Sequence, residues 1–431
     1  MEYYNIKNRA ERVTFREAVT RGISSDMGLF MPAAYPHMSD DFFRRLPSLS
    51  LPEIAFEVGS AYTGSEIPAA ELRRICEWAF NFPVELKQTG ARKYSLELFH
   101  GPTAAFKDFG ARFMSQCFRY FADKKKKTVV LVATSGDTGG AIANSFLGIE
   151  NIDVIILYPS GKVSAIQEKQ LTTPGHNITA LEVKGTFDDC QAMVKKAFTQ
   201  YDTRGLINLT SANSINIARL VPQSFYYYWA VSRLKGKVPV ISVPSGNFGN
   251  MTGAMLAWKT GLPVECFIAS TNINRVVPDY LDTGIYNPRV SVQTIANAMD
   301  VGNPSNFDRI MEIFDNDWRT VIEMVAGYWF TDKQIRDHIT SEYKRSGYIL
   351  DPHGAAGSMG LDLYLEENPS STGIFVETAH PAKFADVVEA ATGVSPEIPA
   401  SLKAVMRGQK KSIIIDPHYR QLEEFLRSTF N

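Results

Sequence analysis

Residues 96–110 read LELFHGPTAAFKDFG, and this segment contains the strand, turn and helix start against which the other segments of the chain are compared. The alternation of apolar and polar residues over 94–99 predicts a strand, which the Gly-Pro pair at 101–102 ends. Thr103 is the predicted N-cap of the helix that follows. Lys107 is therefore expected in or near the first turn of a helix that begins soon after a strand.

The surroundings of Lys107 bear on its chemistry. A helix N-terminus carries partial positive charge, and the neighbours Phe106 and Phe109 exclude water, so both disfavour the ammonium form. A neutral lysine amine is the nucleophile that forms a Schiff base with a carbonyl cofactor. Taken alone, the stretch fits a solvated lysine on an amphipathic helix better, because most lysines are exposed. The other loops of the chain decide between these interpretations.

The composition narrows the class of protein. With 431 residues, 45% hydrophobic and 21% charged, the chain is typical of globular proteins of two or three domains. A net charge of −1 gives no basic footprint for nucleic acid or an anionic membrane. The four cysteines are widely spaced, without a CxxC pair, which favours reduced thiols. The N-terminal residues MEYYNIKN lack the apolar region of a signal peptide, and no apolar run reaches membrane-spanning length. We therefore expect a cytoplasmic protein without a nucleic-acid or membrane partner.

Two parts of the chain differ in their patterns. Residues 1–90 are predicted to form a small, mainly helical N-terminal domain. From residue 91 to 431, strands alternate with helices, which predicts an α/β fold with parallel sheets covered by helices. A helical insertion is predicted near 318–347, and the lysine run at 124–127 is predicted to lie at a solvated helix C-terminus.

Two loops that follow predicted strands carry polar groups and glycines. In parallel sheets, ligands bind where the strands end. The loop 134–140 (TSGDTGG) suits an anion or a hydroxylated ring, although an ordinary capped turn fits it equally well. In the loop 244–250 (PSGNFGN), two glycines let the backbone approach a phosphate closely. Neither loop matches a Walker A or a GxGxxG motif, which disfavours a nucleoside triphosphatase and a dinucleotide enzyme.

Three further segments contain candidate site residues. Residues 211–219 (SANSINIAR) begin a predicted long helix over 215–234 and offer amides and a guanidinium to a phosphorylated or carboxylated substrate. Capping by Asn213 or Ser214, with Arg219 in a salt bridge, is the alternative. Thr378 either offers its hydroxyl to a ring nitrogen or merely ends a strand. Residues 351–354 (DPHG) predict a turn with a local Asp–His contact, and no third ligand with suitable spacing completes a metal site.

In this order, these segments resemble the threonine synthase family of pyridoxal-phosphate enzymes, which have the tryptophan-synthase-like fold, or fold type II. The resemblance covers nearly the whole chain. It runs through TFREAVTRGISSDMGLFMP (14–32), LELFHGPTAAFKDFG (96–110), ATSGDTGGA (133–141), LYPSGKVSAIQEKQL (157–171), LTSANSINIARLVPQ (209–223), VPSGNFGN (243–250), NAMDVGNPSNF (297–307), DPHGAAG (351–357) and ETAHPAKF (377–384). Each segment is modest alone, and the ordered set is very specific.

The resemblance implies a catalytic region over 91–431, built from two α/β subdomains with pyridoxal 5'-phosphate between them. It implies the following roles: Lys107 forms the Schiff base; Ser245, Gly246, Asn247, Phe248, Gly249 and Asn250 cradle the cofactor phosphate; Asp137 lies near the ring hydroxyl and Thr378 meets the ring nitrogen; Ser135 and Thr138 hold the substrate; and Asn213 and Arg219 hold the substrate phosphate. Many relatives have asparagine at the Asp137 position. Because an ionised aspartate only accepts hydrogen bonds, the protonation at the ring hydroxyl is left open.

The activity implied by the resemblance is conversion of O-phospho-L-homoserine and water into L-threonine and phosphate. Lys107 would move protons at the substrate carbons. Three alternatives stay open: a phospho-lyase that releases 2-oxobutyrate, another enzyme of the fold such as a serine/threonine dehydratase or cysteine synthase, and a binding protein that has lost catalysis. The segment from Asn213 to Arg219 and the N-terminal domain disfavour the second, and an intact Lys107 disfavours the third. The oligomeric state is open between monomer and dimer.

Overall fold

The computed structural model describes residues 1–122, 125–203 and 206–430. Contacts divide the chain into two compact units. The first contains Met1–Ala33, Lys107–Arg219 and Ala400–Asn431, and the second contains Ala34–Phe106 and Leu220–Pro399. The predicted domain boundary at residue 90 stays a prediction, since this grouping assigns the first ninety residues partly to each unit.

The strands and helices of the described residues occur in the following order. The strands are β1 Glu2–Asn5, β2 Arg12–Thr14, β3 Phe30–Pro32, β4 Glu85–Gln88, β5 Lys93–Glu97, β6 Lys127–Ala133, β7 Ile152–Pro159, β8 Ile178–Val183, β9 Ile207–Ser211, β10 Pro239–Pro244, β11 Cys266–Thr271, β12 Val325–Trp329, β13 Thr372–Glu377 and β14 Ile413–Ile415. The α-helices are α1 Phe15–Arg21, α2 Asp40–Arg45, α3 Leu51–Thr63, α4 Ala69–Ala79, α5 Lys107–Phe121, α6 Asp137–Phe146, α7 Ala165–Thr172, α8 Phe187–Gln200, α9 Ile217–Leu220, α10 Phe225–Ser232, α11 Gly249–Lys259, α12 Val276–Thr283, α13 Phe307–Ile313, α14 Trp318–Met324, α15 Asp332–Ser346, α16 Pro352–Glu367, α17 Ala385–Thr392, α18 Ala400–Met406 and α19 Tyr419–Phe430. Short 3₁₀ helices lie at Leu46–Ser48, Val221–Ser224, Asn297–Met299 and Pro381–Phe384.

The first unit is built on a five-stranded parallel sheet in the order β14-β8-β7-β6-β9. Its interior strand β6, between β7 and β9, reads KTVVLVA and is buried from its second residue onward, as expected of a parallel strand covered on both faces. Helices α8 and α19 pack with this sheet around Leu131, Leu157 and Leu422. A small antiparallel sheet, β2-β1-β3, belongs to the same unit.

The second unit contains a six-stranded sheet in the order β12-β11-β10-β13-β5-β4. All its neighbouring pairs are parallel except β4 and β5. Helix α16 packs on β10, β11 and β13, and its apolar side chains join Val240, Ile268 and Phe375 in one core. Both sheets therefore confirm the predicted α/β fold, and their strands end at the loops that carry the candidate residues.

Local predictions are corrected at several places. Thr103 is not the helix N-cap, because α5 begins only at Lys107. The long helix predicted over 215–234 is divided into α9, a 3₁₀ turn and α10, since Pro222 cannot continue the α-helical hydrogen bonding. The predicted helical insertion is interrupted by strand β12, which pairs with β11. The sheet β2-β1-β3 was not expected in a mainly helical region. In the predicted lysine run, Lys124 lies outside the described residues.

No helix in the described parts of the chain combines the length and apolar character needed to cross a membrane.

Candidate active site

Lys107 is the first residue of α5 and is half-buried. The residues just before it pair with the segment that follows β13. Ala105 forms a β-bridge with Ala379, and the Phe106 N–H donates to the Thr378 carbonyl at 2.9 Å. Thr378 itself is buried. The predicted Schiff-base lysine therefore follows directly on a segment that is hydrogen-bonded to Thr378.

The loop after β6 is held by side chains. The Thr134 hydroxyl accepts the N–H groups of Gly136 and Gly139, both at 2.9 Å. Helix α6 then begins at Asp137, whose carboxylate accepts the Gln167 side-chain amide at 3.0 Å. Asp137 is buried, whereas Ser135 and Thr138 are partly accessible. This loop presents hydroxyls and fixes one acid at the end of its strand.

Asn213 ties this loop to the segment after β9. Its side-chain Nδ2 donates to the Ala133 carbonyl at 2.8 Å, and its Oδ1 accepts the Ala133 N–H at 3.3 Å. Both polar atoms of the side chain therefore pair with the backbone residue that ends β6. Because the amide has a second N–H hydrogen, Asn213 can keep this pair and still donate to a substrate.

Arg219 is buried in the same unit and belongs to α9. Its Nη1 donates to the Ala212 carbonyl at 2.7 Å, next to Asn213. Burial lowers the pKa of Arg219 to about 10, and the charge of buried Asp108 opposes that shift. The guanidinium thus lies beside the residue that anchors the loop after β6, and it remains positively charged at neutral pH.

The loop after β10 presents mainly backbone N–H groups. Within the described parts of the chain, those of Gly246, Asn247, Phe248 and Gly249 have no protein acceptor. Phe248 has a left-handed backbone (φ 59°), and α11 begins only at Gly249. A Cβ atom on Gly246 would lie 2.4 Å from the Ala298 carbonyl, so only glycine fits the close approach of these two segments.

Side chains behind this loop keep it in place. The Asn247 carbonyl accepts the Asn306 side-chain amide at 3.1 Å, and Asn306 in turn accepts a hydrogen bond from buried Arg309 at 2.9 Å. The Asn250 Oδ1 accepts the hydroxyls of Tyr226 and Tyr227 at 2.6 and 2.7 Å. Asn250 Nδ2 is buried and has no partner in the described structure. A donor of this kind indicates a bound acceptor.

Glu377, which directly precedes Thr378, lies in a buried cluster with Asp351. Glu377 and Asp351 are fully buried, and Asp351 caps helix α16. Asp351 Oδ1 lies 2.6 Å from His353 Nδ1, which is the Asp–His contact expected from the sequence, but the predicted turn over 351–354 is wrong, because Asp351 caps a helix that begins at Pro352. His353 Nε2 accepts the Ala298 N–H at 3.2 Å, so Nδ1 carries the ring hydrogen.

One cluster has ligand types that suit a metal. Glu85, Glu97 and His100 have ligand atoms within 4.8 Å of one another. The Lys87 ammonium lies 3.0 Å from the Glu97 carboxylate and occupies the place of a cation there. The cluster is therefore explained as an ion-pair group, and the absence of a metal site stays a prediction.

Four contacts of the site were not predicted from the sequence: those of Gln167 with Asp137, Asn306 with Asn247, the tyrosine pair with Asn250, and Glu377 with Asp351. All join residues at least 23 positions apart. The available signals were weak: a capping-box glutamine at 167, consecutive tyrosines at 226–228, and an acid at the end of a buried strand.

Comparison with known proteins adds to this geometry. The chain matches the family described as pyridoxal-phosphate dependent enzyme over residues 84–376. It also matches the threonine synthase N terminus over residues 2–80 and the threonine synthase C-terminal family over residues 355–426. It is 43% identical to threonine synthase of Haemophilus influenzae over 99% of both chains.

The chain belongs to the threonine synthase family. Threonine synthase of Escherichia coli is 42% identical over 93% of this chain and 94% of its own. The crystal structure of the Escherichia coli protein superimposes with a TM-score of 0.94 at 39% identity, covering 99% of this chain and all of that one. A pyridoxal-phosphate-bound threonine synthase structure from Brucella melitensis gives a TM-score of 0.91 at 34% identity, with both chains fully covered.

Like the other members of the threonine synthase family, the protein is a pyridoxal-phosphate-dependent lyase of fold type II. The loop after β10 fits this cofactor. Four successive N–H groups without a protein acceptor, together with the buried Asn250 Nδ2, are the donors that a phosphate dianion requires. The loop after β6 has fewer such donors, because Thr134 already accepts two of its N–H groups.

Proposed function

We propose that this enzyme converts O-phospho-L-homoserine and water into L-threonine and phosphate. The observation that carries the proposal is a chain of contacts from the loop after β6 to a buried cation. Asn213 pairs with Ala133, and the Arg219 guanidinium donates to the adjacent Ala212 carbonyl. These contacts connect the Arg219 guanidinium, through Ala212 and Asn213, to the strand end that precedes Ser135 and Thr138, the residues we assign to the substrate. A phosphorylated substrate brings the negative charge that matches it.

We assign the cofactor to two places. The residues Ser245–Asn250 hold its phosphate with backbone N–H groups and Asn250 Nδ2. Lys107 binds its carbonyl carbon, the Thr378 hydroxyl meets the ring nitrogen, and Asp137 lies at the ring hydroxyl. Gln167 donates to Asp137 and keeps its carboxylate oriented. When bound, pyridoxal phosphate stabilises negative charge on the substrate carbon next to the amine.

The protein groups supply the proton transfers and the binding. The Lys107 amine takes a proton from Cα and, once it has given that proton up, takes one from Cβ. Arg219 binds the substrate phosphate until the bond from Cγ to oxygen breaks and phosphate leaves with the bonding electrons. The proton taken from Cβ goes to Cγ, which becomes the methyl group. Water adds its hydroxyl at Cβ, its second proton leaves with the phosphate, and Lys107 returns a proton to Cα. The half-buried position of Lys107, at a helix start, suits an amine that must reach several substrate atoms.

Asn213 acts through its neighbours in this proposal. Because its amide pairs with Ala133, it fixes the distance between the loop after β6 and the Arg219 segment. We assign Asn213 to the substrate-binding residues. Without substrate, its side chain is hydrogen-bonded to Ala133, which ends β6.

We place the enzyme in the cytoplasm. All four cysteines are buried, and burial raises the pKa of Cys190 to about 12, so this thiol is protonated and poorly reactive. Such thiols suit a reducing compartment. The partner is a small molecule, and the oligomeric state stays open between monomer and dimer.

Product analysis tests the function. The purified holoenzyme is incubated with O-phospho-L-homoserine, and amino acids, 2-oxo acids and phosphate are quantified. We expect one threonine per phosphate released. Release of 2-oxobutyrate with phosphate would instead establish a phospho-lyase. Homoserine, which lacks the phosphate, is the matched control and should not react.

A further inference from the structure

The buried cluster of Glu377, Asp351 and His353 lies between two parts of the proposed cofactor site. Glu377 is the last residue of β13 and directly precedes Thr378. At the other end, His353 Nε2 accepts the N–H of Ala298, whose carbonyl packs against Gly246. The cluster therefore joins the residue assigned to the ring nitrogen to the loop assigned to the cofactor phosphate.

The packing around the Glu377 carboxyl limits the groups with which it can form a hydrogen bond. It is fully buried, and neither oxygen lies within hydrogen-bond distance of a donor in the described structure, although the Asp351 N–H favours the ionised form to a smaller extent than burial opposes it. A Cβ on Gly354 would lie 2.1 Å from Glu377 Oε1, so a glycine at this position makes room for the carboxyl. The neighbouring acidic group is Asp351.

Asp351 cannot supply the hydrogen between the two carboxyls. Its Oδ1 accepts the N–H and the Nδ1 of His353, at 2.9 and 2.6 Å, and its Oδ2 accepts the Gly354 N–H at 3.1 Å. Three donors stabilise its ionised form. Two adjacent buried carboxylates cannot both be ionised at low cost, so the hydrogen belongs on Glu377.

We propose that Glu377 is a neutral carboxylic acid that donates to Asp351, and that Glu377, Asp351 and His353 are positioning residues that fix Thr378 relative to the Gly246 loop. The proposal rests on the proposed function, because it assigns cofactor contacts to both ends. None of the three residues touches the reacting atoms. They act by holding the strand end and the loop at one separation.

The surrounding charges support the location of the hydrogen. Burial raises the pKa of Glu377 well above its usual value, and the charges of Asp351 and Glu97 raise it further. His353 and Tyr348 are the other titratable groups of the cluster, and the Tyr348 hydroxyl donates to Glu97 at 2.8 Å rather than to Glu377. Burial is the largest single influence on the pKa of Asp351 and raises it, but His353 and the hydrogen bond from Glu377 together outweigh burial, so the pKa is lowered.

The pH dependence of stability tests the protonation. A raised pKa means that the folded protein keeps the Glu377 hydrogen at pH values where the unfolded chain has lost it. Glu377 then loses stabilising effect as pH rises above its unfolded pKa of about 4.5. Glu377→Gln keeps a neutral donor that cannot ionise. We expect its melting temperature, relative to the unchanged protein, to rise between pH 5 and pH 8. A constant difference between the two melting temperatures over this range would show that Glu377 is already ionised in the folded protein at pH 5 and would overturn the proposal.

Cofactor affinity tests the positioning role. The dissociation constant of pyridoxal phosphate is measured on full-length protein by equilibrium dialysis. Glu377→Gln should stay within about threefold of the unchanged protein, whereas His353→Gln and Asp351→Asn should weaken binding by roughly 10–100-fold, as is common for residues that orient ligands. If Asp351→Asn does not fold, His353→Gln alone carries the test.

The matched control is His338→Gln. His338 is a partly buried histidine of the same unit, and its Nε2 lies 2.7 Å from the Ser358 hydroxyl and 3.8 Å from the Asp362 carboxylate. Its variant should lose stability but keep normal cofactor affinity. Equal cofactor affinity in all three of His338→Gln, His353→Gln and the unchanged protein would exclude the positioning role. Product analysis tests the proposed function separately, since threonine formation by the unchanged protein does not depend on where this hydrogen lies.

Discussion

The loops after β6 and β10 share a residue pattern but differ in structure. One reads SGDTGG over 135–140 and the other SGNFGN over 245–250. In the first, Gly136 has a φ of 135° and the helix begins at the third residue. In the second, Phe248 has the left-handed backbone and the helix begins at the fifth residue, Gly249.

The difference determines which groups each loop presents. The first loop uses Thr134 to satisfy its own N–H groups and keeps an acid and hydroxyls for a ligand. Among the described residues, the second leaves the N–H groups of Gly246 to Gly249 without acceptors and adds the buried Asn250 donor. A shared strand–glycine–helix pattern can thus produce a side-chain site in one place and a phosphate site in another. Variants in and beside the two loops test this difference between them.

Removing the lysine should have the largest effect. Lys107→Ala should reduce turnover on the order of 10⁴-fold or more, since the amine moves the protons. The cofactor should still bind, because the loop after β10 holds its phosphate independently. Product formation, and borohydride reduction followed by mass spectrometry, measure both properties.

Lys333→Ala is the control for that experiment, since Lys333 is exposed on α15 and pairs with Asp337. Near-normal turnover of Lys107→Ala, with a borohydride-reducible adduct still present, would mean that another lysine forms the Schiff base.

Removing the Arg219 guanidinium, which lies beside the segment that anchors the loop after β6, should have the second-largest effect. Arg219→Leu should lower kcat/KM for O-phosphohomoserine by roughly two to four orders of magnitude, because losing a buried charge partner costs about 2–5 kcal/mol. The absorbance of the bound cofactor should hardly change. Any turnover of unphosphorylated serine should fall far less. Equal losses on both substrates would assign Arg219 to the fold or to the common amino-acid site.

The close approach in the second loop should have an intermediate effect. Gly246→Ala should weaken cofactor binding about 10–100-fold, since overpacking costs roughly 1–3 kcal/mol and the added Cβ meets the Ala298 carbonyl. Gly59→Ala, where a Cβ would make an ordinary contact at 3.6 Å with Phe225, is the control with unchanged affinity. Normal affinity in Gly246→Ala would move the phosphate site to the loop after β6.

The side chain that distinguishes the loops at their sixth position should have the smallest effect. The first loop has Gly140 where the second has Asn250. Asn250→Ala should weaken cofactor binding about tenfold, as the loss of a hydrogen bond to a charged group costs roughly 1.5 kcal/mol. Tyr227→Phe removes a hydroxyl from the same cluster but leaves Nδ2 in place, so its affinity should stay normal. Equal losses in both variants would assign the effect to packing of the tyrosines.

The sequence predicted the strands and loops better than the turns between them. The apolar patterns predict a strand over 178–183 and a helix over 187–200, and strand β8 and helix α8 have these bounds, because the patterns are local. The start of α5 was predicted too early, since Ala104 has a φ of 54° and Ala105 bridges to Ala379, a contact that no local pattern contains. Strand β12 was missed because its five residues lie between two amphipathic helices and pair only with a distant strand.

The candidate site shows the same limit. Its loops were located from the sequence, because glycines and polar residues follow buried strands there. The side chains that hold these loops in place were not predicted. The contacts of Gln167 with Asp137 and of Asp351 with Glu377 depend on how elements distant in the sequence pack together. The roles assigned to individual residues rest on the family resemblance and stay predictions.

The most direct test is a crystal structure of the holoenzyme with a non-reacting phosphonate analogue of O-phosphohomoserine. The account predicts the cofactor phosphate on the N–H groups of Gly246–Gly249 and on Asn250 Nδ2, with the phosphonate bound by Arg219 beside the loop after β6. A cofactor phosphate bound at residues 135–140, or a phosphonate bound away from Arg219, would contradict it.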